Sequence, residues 1–329
     1  MHHDHGGDRH DARALWFPSV GSCELRDEAL PALSDGDVLV QTLYSAVSRG
    51  TESLVFAGKV PESETVRMRG PNMGGDFCFP VKYGYAAVGQ VIGGLDELQG
   101  KNVFCLHPHQ TRFVVDRSML TVLPQELPVE RAVLCANMET ALNIVWDAQV
   151  SPGDRVAVFG AGVVGSLVAF VANGIIGTEV ILIDRDESRR SLAPALGLRF
   201  ATADRLNGEF DVLINASGAG EALAEALAHA GQEARIVEAS WHGDRSVTLP
   251  LGGAFHAKRL SLISSQVGSI PSSRRARWDF GRRLRKALDL LADDRLDALI
   301  SGETEFANLE EDYPQILANP ATLCHRIRY

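Results

Sequence analysis

The sequence predicts an α/β protein in which a strand-rich part precedes a parallel sheet covered by helices. Up to about residue 115, short apolar runs are separated by Gly, Pro and Asp, which is typical of antiparallel strands. Near Arg131 the chain changes to a largely apolar stretch with helical spacing. After the turn at residues 151–154, strand and helix patterns alternate, as they do in a doubly wound parallel sheet.

Each predicted element has its own pattern in the chain. The strand-rich part has β-type runs at residues 38–43, 89–92, 103–106 and 111–115. A helix is predicted over 132–148. The alternating part predicts strands at 156–159, 180–183, 212–215, 235–238 and 260–264, and helices at 164–173, 188–196 and 222–230. A basic amphipathic helix is predicted over 274–292, with its Arg and Lys side chains on a solvated face.

Composition and charge exclude several classes of protein. The 329 residues are 45% hydrophobic and 22% charged, which is ordinary for a globular protein of two domains. The net charge of −10 disfavours nucleic acid as a partner. No apolar run is long enough to span a membrane. The five cysteines contain no C-x-x-C pair, which favours a reducing, cytoplasmic setting. Residues 1–12 are expected to form a disordered tail.

A glycine-rich loop lies between the predicted strand at 156–159 and the helix after it. In Gly160-Ala161-Gly162-Val163-Val164-Gly165, the first glycine permits the tight turn and the second lets a pyrophosphate approach the backbone. The third lets the helix pack on the strand. The helix beginning at Val163 and Val164 offers free N–H groups to phosphates. The sequence therefore predicts a Rossmann-type site for a nicotinamide dinucleotide.

The end of the second strand bears on which dinucleotide binds. Asp184 stands about 20 residues after the last glycine, where a carboxylate accepts hydrogen bonds from ribose hydroxyls and repels a 2′-phosphate. NAD is therefore favoured. Arg185, with nearby arginines, leaves NADP possible. Ser217 and Gly218, after the strand at 212–215, are expected to lie close to the cofactor.

Several segments resemble the medium-chain dehydrogenase/reductase family, which includes the zinc alcohol dehydrogenases. Gly50-Thr51-Glu52 is similar to the family's Gly-Thr-Asp, and residues 79–89 resemble its Gly-His-Glu segment. Residues 151–154 resemble its turn before the nucleotide-binding strand, and 297–300 its closing strand. A subgroup resemblance, at residues 48–54, 58–61 and 83–85, is to the dehydrogenase of bacteriochlorophyll synthesis that oxidises a hydroxyethyl side chain.

The resemblance implies a two-domain organisation. A GroES-like β-barrel catalytic domain would comprise residues 13–140 and 270–329, with a Rossmann domain over 141–269 inserted between them. It also implies an active site between the domains, a small-molecule substrate and a homodimer formed through the segment at 264–268.

The family's zinc ligands are missing at the matching positions. Arg49 stands at the first cysteine, Tyr85 at the histidine and Ala136 at the third ligand. Because a catalytic zinc needs three protein ligands and an arginine cation repels it, zinc is not expected.

Chemistry without zinc still needs a proton donor or an electrophile. The candidates are Tyr85, Thr51, Arg49, His107, His109 and Glu139. The leading hypothesis is a zinc-independent, NAD-preferring oxidoreductase that moves a hydride between nicotinamide and an alcohol or ketone. Two alternatives remain open. One is a reductase of activated C=C bonds, like quinone and enoyl reductases, and the other is a non-catalytic dinucleotide-binding sensor.

Overall fold

The computed structural model describes residues 11–329 and divides them into two compact units. One unit comprises residues 11–133 together with 302–329, and the other comprises Leu134–Ser301. The expected tail at residues 1–10 lies outside the described residues. Asp11 and Ala12 begin the first strand, so the expected tail boundary at residue 12 is wrong.

The secondary structure follows the chain in this order. The strands are β1 Asp11–Phe17, β2 Glu24–Ala29, β3 Asp37–Ser48, β4 Gly74–Gly75, β5 Val81–Lys82, β6 Ala87–Gly93, β7 Asn102–Cys105, β8 Arg112–Asp116, β9 Leu120–Val122, β10 Arg155–Phe159, β11 Glu179–Ile183, β12 Arg199–Ala201, β13 Phe210–Asn215, β14 Ala230–Glu238, β15 Ser261–Ser264, β16 Ile300–Glu305 and β17 Cys324–Arg328. The helices are α1 Arg49–Phe56, α2 Cys135–Ala148, α3 Val163–Asn173, α4 Leu192–Ala195, α5 Gly220–His229, α6 Ser272–Arg275, α7 Phe280–Leu290 and α8 Leu309–Ala318. None of the helices in residues 11–329 is both long and apolar enough to cross a membrane.

The first unit is built on antiparallel sheets. One sheet has the order β2-β1-β5-β4. The other has the order β16-β17-β3-β6-β7-β9, with β8 also paired to β3. A core cluster between β1, α1 and α8 is centred on Phe17, Val55 and Tyr313. This unit therefore gathers the first third of the chain and its last residues around one core.

The second unit is a six-stranded parallel sheet with the order β12-β11-β10-β13-β14-β15. This is the doubly wound order, with the glycine loop at the carboxyl end of the central strand β10. Ala157 and Phe159 pack in a cluster with α5, and the alternate residues Val156 and Val158 are also fully buried. Because successive strand residues face opposite sides, both faces of the sheet are covered. The predicted α/β fold class is confirmed.

The observed division of the chain differs from the expected boundaries at 140/141 and 269/270. The second unit takes in all of α2, which packs against α3 and α7. It also keeps residues 270–301, because α7 packs on α2 within this unit.

Two predicted elements need correction. The single helix expected over 274–292 is two helices, because the Asp279 side chain accepts a hydrogen bond from the Arg282 N–H and so caps a new start at Phe280. The closing strand expected at 297–300 begins only at Ile300, because the Asp293 side chain caps a short 3₁₀ helix over Asp294–Leu299.

Candidate functional site

The glycine loop is tightly built at its first and third glycines. Gly160 has φ +103°, and a Cβ there would lie 2.7 Å from Cα of Ser217. A Cβ on Gly165 would lie 1.9 Å from the carbonyl oxygen of Gly160. Both positions therefore require glycine, for the turn and for the close approach of α3 to β10.

The second glycine faces open space. A Cβ on Gly162 would meet no atom within 4 Å. Gly162 is the N-cap of α3, and its carbonyl accepts the first helical hydrogen bond from the Ser166 N–H. The helix begins at Val163 and Val164, whose N–H groups have no partner within the helix. Open space beside a helix N-terminus suits a pyrophosphate, so these residues fit a dinucleotide.

Asp184 lies beside this loop at the carboxyl end of β11. Its Oδ2 accepts a hydrogen bond of 2.7 Å from the Ala161 N–H, and its Oδ1 accepts one of 2.9 Å from the Asp186 N–H. The neighbouring Arg185 is exposed. The structure thus places the carboxylate predicted to hold the ribose within one hydrogen bond of the glycine loop.

The turn after β13 completes this edge of the sheet. Ser217 donates its hydroxyl to Oδ1 of Asn215 at 2.6 Å, and packs against Gly160. Gly218 has φ +74°, and its N–H donates to Oγ of Ser240 at 3.0 Å. Every residue predicted to bind the cofactor therefore lies along the carboxyl edge of strands β10, β11 and β13.

In the other unit, Tyr85 meets the start of α1. Its hydroxyl is hydrogen-bonded by the side chains of Ser48 and Thr51. Burial, reinforced by the negative charge of Glu52, raises the pKa of Tyr85 to about 12. The phenol is therefore protonated at neutral pH. Arg49 is the first residue of α1 and is half-buried.

Glu52 is a buried carboxylate that the sequence analysis did not select as a site residue. It accepts hydrogen bonds from the Ser48 N–H at 2.7 Å and from the Tyr313 hydroxyl at 2.6 Å. His109 Nε2 lies 3.0 Å from Oε2 of Glu52, and His109 Nδ1 lies 2.8 Å from Oγ of Ser45. Both nitrogens of His109 are thus hydrogen-bonded within a fully buried network, which holds the imidazole in one orientation.

His107 lies in the apolar interior. Its ring stacks on Phe113 with centroids 4.0 Å apart, and Nδ1 donates to the carbonyl of Pro108 at 2.9 Å. Burial lowers the pKa of His107 to about 3. The imidazole is therefore neutral at physiological pH, and it has no proton to give as a cation.

Glu139 belongs to the second unit, in α2. Its Oε1 accepts a hydrogen bond of 3.0 Å from Nε of Arg283, which also donates to Asn143 and, at 2.6 Å, to the carbonyl of Val267. Burial raises the pKa of Glu139, and the Arg283 cation opposes that shift. Arg283 is itself only 2% exposed, contrary to the expectation that the basic residues of this helix form a solvated face. Glu139 is therefore committed to a buried ion pair.

The residues at the family's zinc positions do not fit that metal. They are a guanidinium at Arg49, a protonated phenol at Tyr85 and a methyl group at Ala136, whereas zinc takes thiolate, imidazole or carboxylate ligands. Burial raises the pKa of the neighbouring Cys135 well above its usual value, which disfavours the thiolate. Within residues 11–329, no group of three or more His, Cys, Asp or Glu side chains is arranged to hold a metal ion.

The chain is similar to curated dehydrogenases. It is 26% identical over 225 residues to 2-dehydro-3-deoxy-L-galactonate 5-dehydrogenase of Pseudoalteromonas atlantica, covering 64% of this chain and 62% of that protein. The chain thus spans less than two thirds of that relative. It is 23% identical over 332 residues to a zinc-type alcohol dehydrogenase-like protein of Haemophilus influenzae, covering 87% of this chain and 89% of that protein. No protein-family model matches the chain.

Solved structures share the fold. L-idonate 5-dehydrogenase of Escherichia coli superposes with a TM-score of 0.80 at 16% identity, covering 97% of this chain and 98% of that one. An Escherichia coli alcohol dehydrogenase solved with NADH has a TM-score of 0.78 at 16% identity, covering 97% and 99%.

A parallel sheet with a glycine loop, joined in one chain to antiparallel sheets, is the fold that this chain shares with these solved dehydrogenases. In sequence and in fold, the chain resembles the medium-chain dehydrogenase/reductase family.

Proposed function

We propose that this protein is an NAD(P)-dependent oxidoreductase that transfers a hydride between nicotinamide and an alcohol or ketone. The observation that supports it most is the open space beside Gly162, at the N-terminus of α3, within a loop whose other two glycines have no room for a side chain. Packing explains the first and third glycines. The second glycine leaves room for a pyrophosphate to come close to the backbone of the loop.

The comparisons support the substrate class. The relative from Pseudoalteromonas atlantica is named for the oxidation of a sugar acid, and one structural neighbour is an L-idonate dehydrogenase. Both names describe the oxidation of a hydroxyl in a polyhydroxylated acid. We therefore propose a secondary alcohol and its ketone as the substrate pair. The resemblance to the hydroxyethyl-oxidising dehydrogenase stays a prediction.

NAD is the proposed preference over NADP. The Asp184 carboxylate beside the glycine loop would accept the ribose hydroxyls and repel a 2′-phosphate. Of the nearby arginines, Arg190 is held by Glu187 and stacks on Phe200. Arg185 is the exposed cation beside the carboxylate, and it is the residue that would favour NADP.

In the proposed reaction, the bound nicotinamide supplies or accepts the hydride. In the direction of reduction, the carbonyl oxygen of the substrate needs a proton, and Tyr85 holds one because its pKa lies near 12. The hydroxyls of Ser48 and Thr51 hydrogen-bond the phenol and would stabilise the phenolate left behind. Arg49, on the first turn of α1, would add positive charge there.

Zinc independence is part of the proposal. It rests on the donor set, because a guanidinium, a phenol and a methyl group replace the expected ligands. A homodimer through β15, which is an edge strand of the parallel sheet, and a cytoplasmic location are further proposals.

Activity and metal content should be measured on the same preparation. We expect NAD-dependent oxidation of polyols or sugar acids that survives dialysis against a chelator, with zinc far below one equivalent. Tyr85→Phe should lower kcat by about 10²-fold or more, while NADH binding stays unchanged. The matched control Tyr44→Phe changes a tyrosine of β3 that stacks with Arg326 and should leave kcat unchanged.

Other results would contradict parts of this proposal. Stoichiometric zinc whose removal abolishes activity would contradict zinc independence. Reduction of enones without oxidation of any alcohol would favour the C=C reductase. NADH binding without turnover of either class would favour the sensor.

A further inference from the structure

The segment that contains α6 and α7 concentrates positive charge on an acidic protein. Residues 272–286 include seven basic side chains and one acidic side chain, whereas the whole chain has a net charge of −10. Four of the seven are exposed arginines, namely Arg275, Arg277, Arg282 and Arg285. A local excess of one sign of charge attracts a partner of the opposite sign, whatever the net charge of the molecule.

These four arginines have no acidic partner within residues 11–329. Arg67 and Arg199, two exposed arginines elsewhere, lie 2.9 and 3.7 Å from carboxylate oxygens. In contrast, Arg275 donates to the carbonyl of Ile270 at 3.3 Å, and Arg282 donates to the carbonyl of Arg277. Because carbonyl groups are neutral, the positive charges of the segment are not balanced by the groups around them.

The arginines of α7 share the exposed side of that helix. The helix buries Leu284, Ala287 and Leu288, and it leaves Arg282 and Arg285, three residues apart, exposed. The bond from Arg282 to the carbonyl of Arg277 joins this side to the end of α6. The cations therefore form a continuous surface across two successive helices, which is broader than a site for a single phosphate.

An aromatic side chain is exposed within the same surface. Phe280, the first residue of α7, is 53% exposed, and the guanidinium of Arg283 lies 5.3 Å from the centre of its ring. Trp278 is half-buried, with Arg282 4.1 Å from its ring centre and the Trp146 ring 4.8 Å away. We call the four exposed arginines and Phe280 the basic patch.

An anionic lipid surface matches this combination. Arginine side chains pair with lipid phosphates, and an exposed aromatic ring beside them enters the headgroup layer. Single-stranded nucleic acid also presents phosphates, but it binds aromatic rings by stacking its bases on them. The rings of Trp278 and Phe280 each have a guanidinium over one face, so they are poorly prepared for stacking.

The net negative charge of the protein does not prevent such a contact. Charges separated by more than about 8 Å are largely screened at physiological ionic strength, so the side chains at the lipid surface dominate. Peripheral binding of this kind needs no helix that crosses the bilayer.

We propose that the basic patch binds the surface of an anionic lipid bilayer and makes this a peripheral membrane protein. The arginines pair with the lipid phosphates, and Phe280 inserts between the headgroups. The inference goes beyond hydride transfer and does not depend on it.

Flotation of the full-length protein with lipid vesicles tests the proposal. One set of vesicles should contain phosphatidylglycerol and phosphatidylcholine in equal amounts, and the other phosphatidylcholine alone. We expect the protein to float with the first set and not with the second, and to be released by high salt. Arg277→Glu combined with Arg285→Glu should lower the partition coefficient by about tenfold or more, and Phe280→Ser by about threefold or more.

A matched control reverses two charges outside the basic patch. Arg67→Glu combined with Arg199→Glu makes the same change in net charge and should float as the unsubstituted protein does. Arg277→Gln combined with Arg285→Gln is a milder second variant of the patch and should also lose flotation. Thermal unfolding and NADH binding should be the same in all of these variants, which separates this test from that of the proposed function.

Several results would overturn the proposal. They are no flotation with the phosphatidylglycerol vesicles, equal flotation with phosphatidylcholine alone, and equal losses in the patch and control variants. Binding of a single-stranded DNA that requires the basic patch, in a protein that does not float, would assign the patch to nucleic acid instead.

Discussion

The backbone N–H of Ala161 donates a hydrogen bond of 2.7 Å to Oδ2 of Asp184, which ties the glycine loop of β10 to the end of β11. One carboxylate thus supports the loop that would hold the pyrophosphate and stands where the adenosine ribose would lie. Because the second oxygen accepts the Asp186 N–H, the orientation of the carboxylate is set by two backbone groups.

Removing this negative charge should change cofactor preference. In Asp184→Asn, the amide oxygen can keep one of the two backbone hydrogen bonds, from Ala161 or from Asp186, whereas the repulsion of a 2′-phosphate is lost. We expect the ratio of NADPH to NADH affinity to rise by about tenfold, measured by fluorescence titration of both cofactors. Asp186→Asn is the matched control, because an asparagine still caps Ser188 there and the ratio should not move. An unchanged ratio in Asp184→Asn would contradict the proposed NAD preference.

The buried pair of Arg283 and Glu139 should dominate the stability of the second unit. Arg283→Met leaves Glu139 buried without a counter-charge, and we expect it to cost about 3–5 kcal/mol in the free energy of unfolding in urea. Adding Glu139→Leu should recover a large part of that loss, because no charge is then left unpaired. Arg285→Met, on the exposed side of the same helix, should cost less than about 0.5 kcal/mol. If Arg283→Met lowered the free energy of unfolding as little as Arg285→Met does, the ion pair would contribute little to stability.

His107 should make the protein acid-sensitive. Its pKa is about 3 in the folded protein and about 6.5 when unfolded, so between these values the unfolded state binds more protons. The free energy of unfolding therefore falls as the pH falls below about 6.5. Comparison with His107→Gln isolates this contribution, because glutamine does not titrate.

The free energy of unfolding should be measured in urea titrations at several pH values. The difference in this free energy between the unsubstituted protein and His107→Gln should narrow by about 1.4 kcal/mol for each pH unit below about 6. A stability difference that stays constant with pH would show that this ring is not held in its neutral form.

The parts of the fold that sequence patterns predict are those with local causes. The three glycines of the loop, Asp184 at the end of β11 and the alternation of strands and helices depend on residues close together in the chain. The prediction of one helix over 274–292 fails for a local reason too, because Asp279 caps a second start. A single capping side chain divides the segment into two helices, although its hydrophobic spacing predicts one continuous helix.

The buried polar networks could not be predicted in this way. Arg283 and Glu139 are 144 residues apart, and Tyr313 and Glu52 are 261 apart. A basic residue in a run of basic residues predicts exposure, and nothing nearby in the chain indicates that its partner is buried beside it.

The most direct test of the account is the affinity of Gly162→Ala for NADH. The added methyl group meets no protein atom within 4 Å, so the variant should unfold at the same temperature as the unsubstituted protein. It would occupy the space proposed for the pyrophosphate, and we expect NADH binding to weaken by about tenfold or more, by fluorescence titration. Gly252→Ala, where a methyl group also meets no atom within 4 Å, should bind NADH normally. Unchanged NADH affinity in folded Gly162→Ala would contradict a dinucleotide site at this loop.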